Sequence, residues 1–266
     1  MKKWLYILLA LLPLLACVGQ KDDPIDDTGP DDPGAVEPGG AEEGKDFFRR
    51  SLVLDFTGTW CVNCPKMEAA IAQTMEARPG RVVPVSVHCL SVDPMYAKPL
   101  SDDLVARFSV SAYPSAVVDM DSESLISQSS PELLQSHIDR LLEARGLAPG
   151  IRIESTLEGE NYTVKAEMKA VRDGDYTLAV LVLEDGIVAA QTGGTADHVH
   201  NNILRSWTES DPLRGLKDGE TAGFECQGTA AGNIRFAVLV LRGGLVDNVI
   251  TCTAGATVPY QYEEDN

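Results

Sequence analysis

Positive charge is what this 266-residue chain has least of. Its 22 lysines and arginines stand against 40 aspartates and glutamates, a formal net charge of −18. That balance argues against nucleic acid as a partner and against adhesion to anionic lipid by charge alone. No internal repeat of about 20–50 residues is evident, which sets aside solenoids and propellers. Long apolar runs are missing as well: Leu5–Leu15 is too short to span a bilayer stably. Cysteine is sparse, six in all, with a single Cys-x-x-Cys pair at Cys61 and Cys64. A structural zinc site usually takes four ligands, often from two such pairs, so one pair alone argues against a metal.

What is present begins at the N-terminus. "MKKWLYILLALLPLLAC" has a basic start and a short apolar stretch, the pattern of a secretory signal over 1–16. Leu14-Leu15-Ala16-Cys17 resembles the bacterial lipobox, in which the signal is cut before a cysteine that is then acylated. That resemblance implies a lipid on Cys17 and a protein that sits on a membrane without crossing it. Residues 18–46 hold ten acidic residues against two lysines, with many Gly and Pro and little to bury. Such composition predicts a disordered, self-repelling tether over 17–46. Gln20-Lys21-Asp22-Asp23 resembles the signal that sends Bacteroidetes lipoproteins to the outer face of the outer membrane.

About 220 residues follow, a length suited to two domains. From 47 to 146 strand and helix patterns alternate. Leu52–Phe56 reads as a strand, and Met67, Ala70, Ile71, Thr74 and Met75 mark one helix face that ends at Pro79-Gly80. Val82–Val87 reads as a strand, and Pro84 places it at a sheet edge. A short helix from Ser101 through Phe108, strands at Ser115–Asp119 and Leu125–Gln128, and a helix at Pro131–Arg145 complete an α/β layer. After "RGLAPG" the texture changes to short alternating runs, "IRIESTLEG", "YTVKAEMKAV", "YTLAVLVLED", "FECQG" and "IRFAVLVLRGG", separated by turn residues. This predicts an all-β, immunoglobulin-like sandwich over 150–262.

The chemistry concentrates at "LDFTGTWCVNCPK". An apolar strand leads to Cys61 at a helix start, where unpaired N–H groups and the helix dipole favour a thiolate. Cys64, further into the helix, would be shielded and placed to resolve a mixed disulfide. A purely structural disulfide remains the alternative. The segment resembles the thioredoxin active site: strand, Asp55, Phe56, then Trp60 and the cysteine pair. That resemblance implies an α/β thioredoxin-like N-terminal domain over 47–146. It makes Asp55 the buried proton acceptor for Cys64 and has Trp60 shield Cys61. "VSAYPSAVVD" resembles the loop whose cis-proline faces the pair, making Pro114 the candidate. Ser115 in place of the usual Thr, and Val62-Asn63 between the cysteines, depart from that pattern and leave oxidant against reductant open.

With the lipobox, the acidic tether and "HVHNNILR" (198–205), the chain resembles the Omp-twenty-eight-related outer-membrane lipoproteins of Bacteroidetes, a thioredoxin-like domain followed by a β-domain. The resemblance implies the location and the fold, and the cysteine motif with its flanks points to a lipid-anchored, outer-membrane thiol–disulfide oxidoreductase acting on protein thiols or disulfides, with no cofactor. The alternative is a surface-binding lipoprotein whose β-domain recognises a partner. His198 and His200 would share a strand face as metal ligands do, but two ligands without a third favour a hydrogen-bonded structural role. His88 and Cys89, adjacent on a strand, point to opposite faces, and Cys89 reads as a buried structural thiol. Cys226 and Cys252 lie in β-like segments of an exported chain, and the tendency of exported cysteines to pair predicts a disulfide between them.

Overall fold

The computed structural model describes residues 44–263. The signal segment, the Cys17 anchor and the tether before Gly44 lie outside the described residues. The first half alternates as patterned: β1 (Ser51–Thr57), α1 (Cys64–Ala77), β2 (Val82–His88), α2 (Leu100–Arg107), β3 (Ser115–Val118) and α3 (Pro131–Arg145). The helix boundaries have local causes. At α3 the Ser130 hydroxyl accepts the Leu133 N–H at 3.2 Å, Pro131 opens the first turn, and Gly146 follows the last with φ 63°. The strand expected at 125–128 does not form. A single 3₁₀ turn, Ser122–Ser124, leads to one isolated bridge between Ile126 and Ala116.

Beyond Gly150 every element is a strand: β4 (Gly150–Glu158), β5 (Asn161–Lys169), β6 (Gly174–Asp185), β7 (Ile187–Ala189), β8 (His198–His200), β9 (Ile203–Glu209), β10 (Leu213–Leu216), β11 (Thr221–Thr229), β12 (Asn233–Arg242), β13 (Leu245–Thr253) and β14 (Thr257–Val258). One mixed sheet has the order β13-β12-β6-β9-β2-β1-β3, with β10 added to β6. A second, antiparallel sheet has the order β11-β5-β4-β14, and β7 pairs with β8.

This topology corrects the expected fold class. The described chain is mostly β, and no separate thioredoxin-like α/β domain stands beside an immunoglobulin-like sandwich. The reason is that β2 is not left as an edge: β9, from the second half, joins it in parallel through Ser86 and Ile203. The pairing reaches β2 only at that end, so Pro84 sits where the flank carries no ladder and its missing N–H costs nothing. Side chains from both halves then fill one core, in which Leu52, Leu54, Phe56, Val85 and Val87 mix with Leu181, Leu183, Ala237 and Leu239.

Strand alternation distributes the rest. Along β6, Ala179, Leu181 and Leu183 enter that shared core, while Leu178, Val180 and Val182 face the antiparallel sheet with Ile153, Val164 and Met168. Burial on both faces explains why β6 and β12 read as unbroken apolar runs rather than alternating ones. On β1 the same period sends Leu52, Leu54 and Phe56 one way. It sends Val53 the other way, into the cluster with Met67, Ala70 and Ile71 of α1 and Leu134 and Ile138 of α3. Asp55 therefore lies on the face that α1 covers.

The predicted Cys226–Cys252 disulfide is absent, and both are buried free thiols. They belong to different sheets. Cys226 stands opposite Val164 on β11, whereas Cys252 stands opposite Phe236 on β13. The Cys252 thiol is engaged locally by the Thr253 and Ala256 carbonyls, each at 3.2 Å. An oxidising compartment favours pairing only where the geometry brings two sulfurs together.

A buried ion cluster ties the halves further. Asp247, 3% exposed, receives Arg172 at 2.8 Å, Arg49 at 3.3 Å and Arg242 at 3.4 Å.

Candidate functional site

Cys61 and Cys64 are bonded to each other. Cys64 opens α1, with Asn63 at the cap position, so Cys61 precedes the helix rather than sitting inside its first turn. The turn that carries them is fixed by backbone bonds from Cys61 N to the Gly58 carbonyl at 3.0 Å and from Cys64 N to the Cys61 carbonyl at 3.4 Å. Gly58 is required there, because a side chain would collide with the Trp60 indole. Trp60 Nε1 donates to the Cys89 carbonyl at 3.0 Å, and its ring meets Tyr113 edge-on at 5.3 Å. Tyr113 precedes Pro114, and the peptide between them is cis. Asp55, Trp60, the cysteine pair and the Pro114 loop thus belong to one neighbourhood, as their sequence spacing suggests.

Cys61, expected to be the more open sulfur, is not open: it is 4% exposed, against 2% for Cys64. The cover comes from the second half of the chain. Gln191 Nε2 donates to the Cys61 carbonyl at 2.9 Å and approaches the Gly58 carbonyl at 3.2 Å. Thr192 N donates to the Thr59 carbonyl at 2.8 Å. Gly193, at φ 81°, lies so close to Val62 that a Cβ there would fall onto the Val62 carbonyl oxygen. The segment between β7 and β8 is therefore a strap across the cysteine turn. Nothing in the sequence of 191–194 pairs it with residues about 130 positions earlier.

Beneath the pair lies a polar cavity of about 30 Å³, lined by Asp55, Cys64, Glu68, His88, His198 and His200 among others. Asp55 is 4% exposed. Burial, reinforced by the Glu68 carboxylate, raises its pKa to about 8, and its Oδ1 has no hydrogen-bond partner. His88 Nδ1 donates to Asp93 Oδ1 at 3.1 Å. Burial pushes Asp93 up, yet the His88 contact and backbone donors from Thr59 and Met95 together hold it below the ordinary carboxylate value. His198 pairs with Glu68 at 3.1 Å, and its ring lies 4.6 Å from that of His200. The expected hydrogen-bonded role thus fits His198. Among the described residues no cluster could hold a metal ion. Cys89 is buried, and burial first of all raises its thiol to about 12, which leaves it inert.

No family model and no curated protein sequence matches the chain. Two solved structures share its fold over most of its length. HBP35 of Porphyromonas gingivalis superposes with a TM-score of 0.67 at 17% identity, covering 81% of this chain and 78% of that one. A protein of Agrobacterium tumefaciens superposes with a TM-score of 0.56 at 15% identity, covering 80% of this chain and 97% of that one. At these identities the likeness establishes a shared fold, one also found in a Bacteroidetes protein.

Proposed function

We propose that the chain is an envelope lipoprotein whose Cys61–Cys64 pair exchanges disulfides with protein thiols. The observation that carries this reading is the placement of the pair: a disulfide at the start of α1, above a buried carboxyl one oxygen of which has no hydrogen-bond partner. A structural staple gains nothing from a carboxyl held there, whereas a thiol that must lose its proton does. In the exchange, the Cys61 thiolate attacks a substrate disulfide and expels one substrate thiolate. Cys64 then yields its proton toward Asp55, attacks the Cys61 sulfur and expels the second thiolate, closing the pair. The membrane partner is a bilayer reached through acylated Cys17. The expected site is the outer membrane of a Bacteroidetes-type cell, on the evidence of the lipobox, the acidic tether and Lys21-Asp22-Asp23. Kinship with the Omp-twenty-eight-related lipoproteins belongs to the same proposal, supported by the fold shared with HBP35.

A second reading rests on the burial of both sulfurs beneath the strap: the disulfide is inert and the second half of the chain binds a partner. One experiment separates the two. After reduction, limiting alkylation labels Cys61 first, Cys61→Ser abolishes exchange, and Cys64→Ser traps a mixed disulfide on Cys61 if the pair is a redox centre. Slow, equal labelling with no trapped partner leaves the binding reading.

A further inference from the structure

Asp55 borders two cavities. Besides the small polar space beneath the cysteine pair, it lines a wider one of about 160 Å³ between α1, β2 and the β8–β9 turn. The topology explains the opening. β9 meets β2 only at Ser86 and Ile203, so no described strand runs along the edge of β2 at Pro84. Pro84 itself keeps that edge free, because a residue without an N–H cannot extend a ladder. On α1, Glu68, Ile71, Ala72 and Met75 form one wall, a stripe at helical spacing. Pro84 and Ser86, two apart on β2, form the floor, and Asp55 lies beside Ser86 in the sheet register. The Asn201-Asn202 turn closes the end. It is held there by the Ser86 N–H on the Asn202 carbonyl at 2.8 Å and the Ser86 hydroxyl on the Asn201 carbonyl at 3.1 Å.

We propose that this wider cavity binds a small neutral molecule, a single apolar ring bearing a carbonyl group that accepts hydrogen bonds from Asp55 and the Asn201-Asn202 amides. The site stands whether or not the cysteine pair exchanges disulfides.

Size sets the first limit, since an apolar cavity of about 150 Å³ holds one benzene ring. Ile71, Ala72, Met75 and Pro84 supply the apolar contact, and Met75, 39% exposed, has surface left to bury. The polar groups decide the chemistry. Asn201 Oδ1 accepts the Gly186 N–H at 3.0 Å and Asn202 Oδ1 accepts from Arg235, so both amides keep N–H groups to donate. Asp55 is 4% exposed and its Oδ1 has no partner. Burial first, then Glu68, raises its pKa to about 8, so at neutral pH it offers a hydrogen rather than a charge. Glu68, the other carboxyl of the cavity, is half exposed and already paired with His198 at 3.1 Å. A ring that carries an acceptor matches these groups, whereas a ring that carries a cation finds no unpaired carboxylate.

Benzamide is the probe, and benzamidine, its cationic isostere, is the control. In NMR spectra of the oxidised protein with isotope-labelled methionine methyls, benzamide is expected to shift the Met75 resonance, assigned with Met75→Leu. The shift should saturate at a concentration on the order of millimolar, as befits so small a ligand. Met168, in the core against the antiparallel sheet, should not move. Ala72→Phe, at an exposed position of α1, fills the cavity without entering the core and should abolish the shift. Affinity should fall about tenfold between pH 7 and 9 as Asp55 loses its hydrogen, and Asp55→Asn should flatten that dependence. The other ionisable groups around Asp55 are Glu68 from α1, His88 and Cys89 from the end of β2, and His198 and His200 from β8. The comparison with Asp55→Asn separates the carboxyl from all of them. No shift at Met75, a shift undiminished by Ala72→Phe, an affinity that ignores pH, or tighter binding of benzamidine than of benzamide overturns the proposal.

Discussion

Asp55 was legible as a site residue because a carboxylate inside "LVLDF" is conspicuous in an otherwise apolar strand, and strand period alone assigns it to the face of Val53. Its environment also sets a pH dependence. The folded pKa of about 8 lies above the unfolded value of 3.8. For a carboxyl raised in the folded state, stability is fully present below pH 3.8 and is lost as pH rises through about 8. Each unit of difference is worth roughly 1.4 kcal/mol, so the loss is large enough to read in a melting curve. Oxidised wild-type protein should lose Tm between pH 4 and 8 by more than Asp55→Asn does, and equal slopes would show that Asp55 keeps an ordinary pKa. Cys226 and Cys252 mark the limit of residue-level reading. Their compartment was inferred, but a tendency to pair says nothing of which sheet each strand joins. Gln191 was out of reach for a related reason: its contact with the cysteine turn exists only because the fold brings the two together.

At the scale of elements, the helix boundaries and most strands could be read from capping residues and periodicity, and the double burial of β6 and β12 is visible in their unbroken apolar runs. The pairing of β9 with β2 was not, because a single bridge leaves almost no pattern in either strand. The β7–β8 strap was hidden for the same reason. It is held by backbone groups, the Gln191 amide and a glycine, all of which are ordinary loop chemistry in sequence. Its consequence is testable. Gly193→Ala introduces a side chain against the Val62 carbonyl at a positive φ, and the strap must lift to admit it. Gln191→Ala removes buried hydrogen bonds worth about 1–2 kcal/mol in total. Both variants should let a small phosphine reduce the Cys61–Cys64 disulfide faster than in the wild type, on the order of tenfold for a 1.4 kcal/mol easier opening. Reduction rates equal to wild type would mean that the strap does not gate the sulfurs.

At the scale of the whole molecule, two textures in the sequence suggested two domains, and each texture is present. What the sequence could not show is that one sheet and one core run through both. Leu54 and Val85 pack in the same cluster as Leu181 and Leu239, and β9 continues the sheet from β2. Asp247 on β13 neutralises Arg49 from the segment before β1. Each half also has a cluster of its own, but the shared sheet and core join them, so the halves should unfold as one cooperative unit. Beyond the signal segment the sequence has two tryptophans, Trp60 in the first half and Trp207 in the second, which makes them natural reporters. In denaturant titrations, Trp207→Phe leaves Trp60 to report on the cysteine end, and Trp60→Phe leaves Trp207 to report on β9. Each variant's fluorescence midpoint should coincide with its own far-ultraviolet circular dichroism midpoint. A tryptophan signal that changes in a separate transition would mean that the halves are autonomous. Asp247→Ala, added to either background, strands the buried Arg49 guanidinium, 6% exposed, and should cost about 3–5 kcal/mol. The decisive feature is that this loss moves both reporters together, because a cluster that joins the halves cannot weaken one and spare the other.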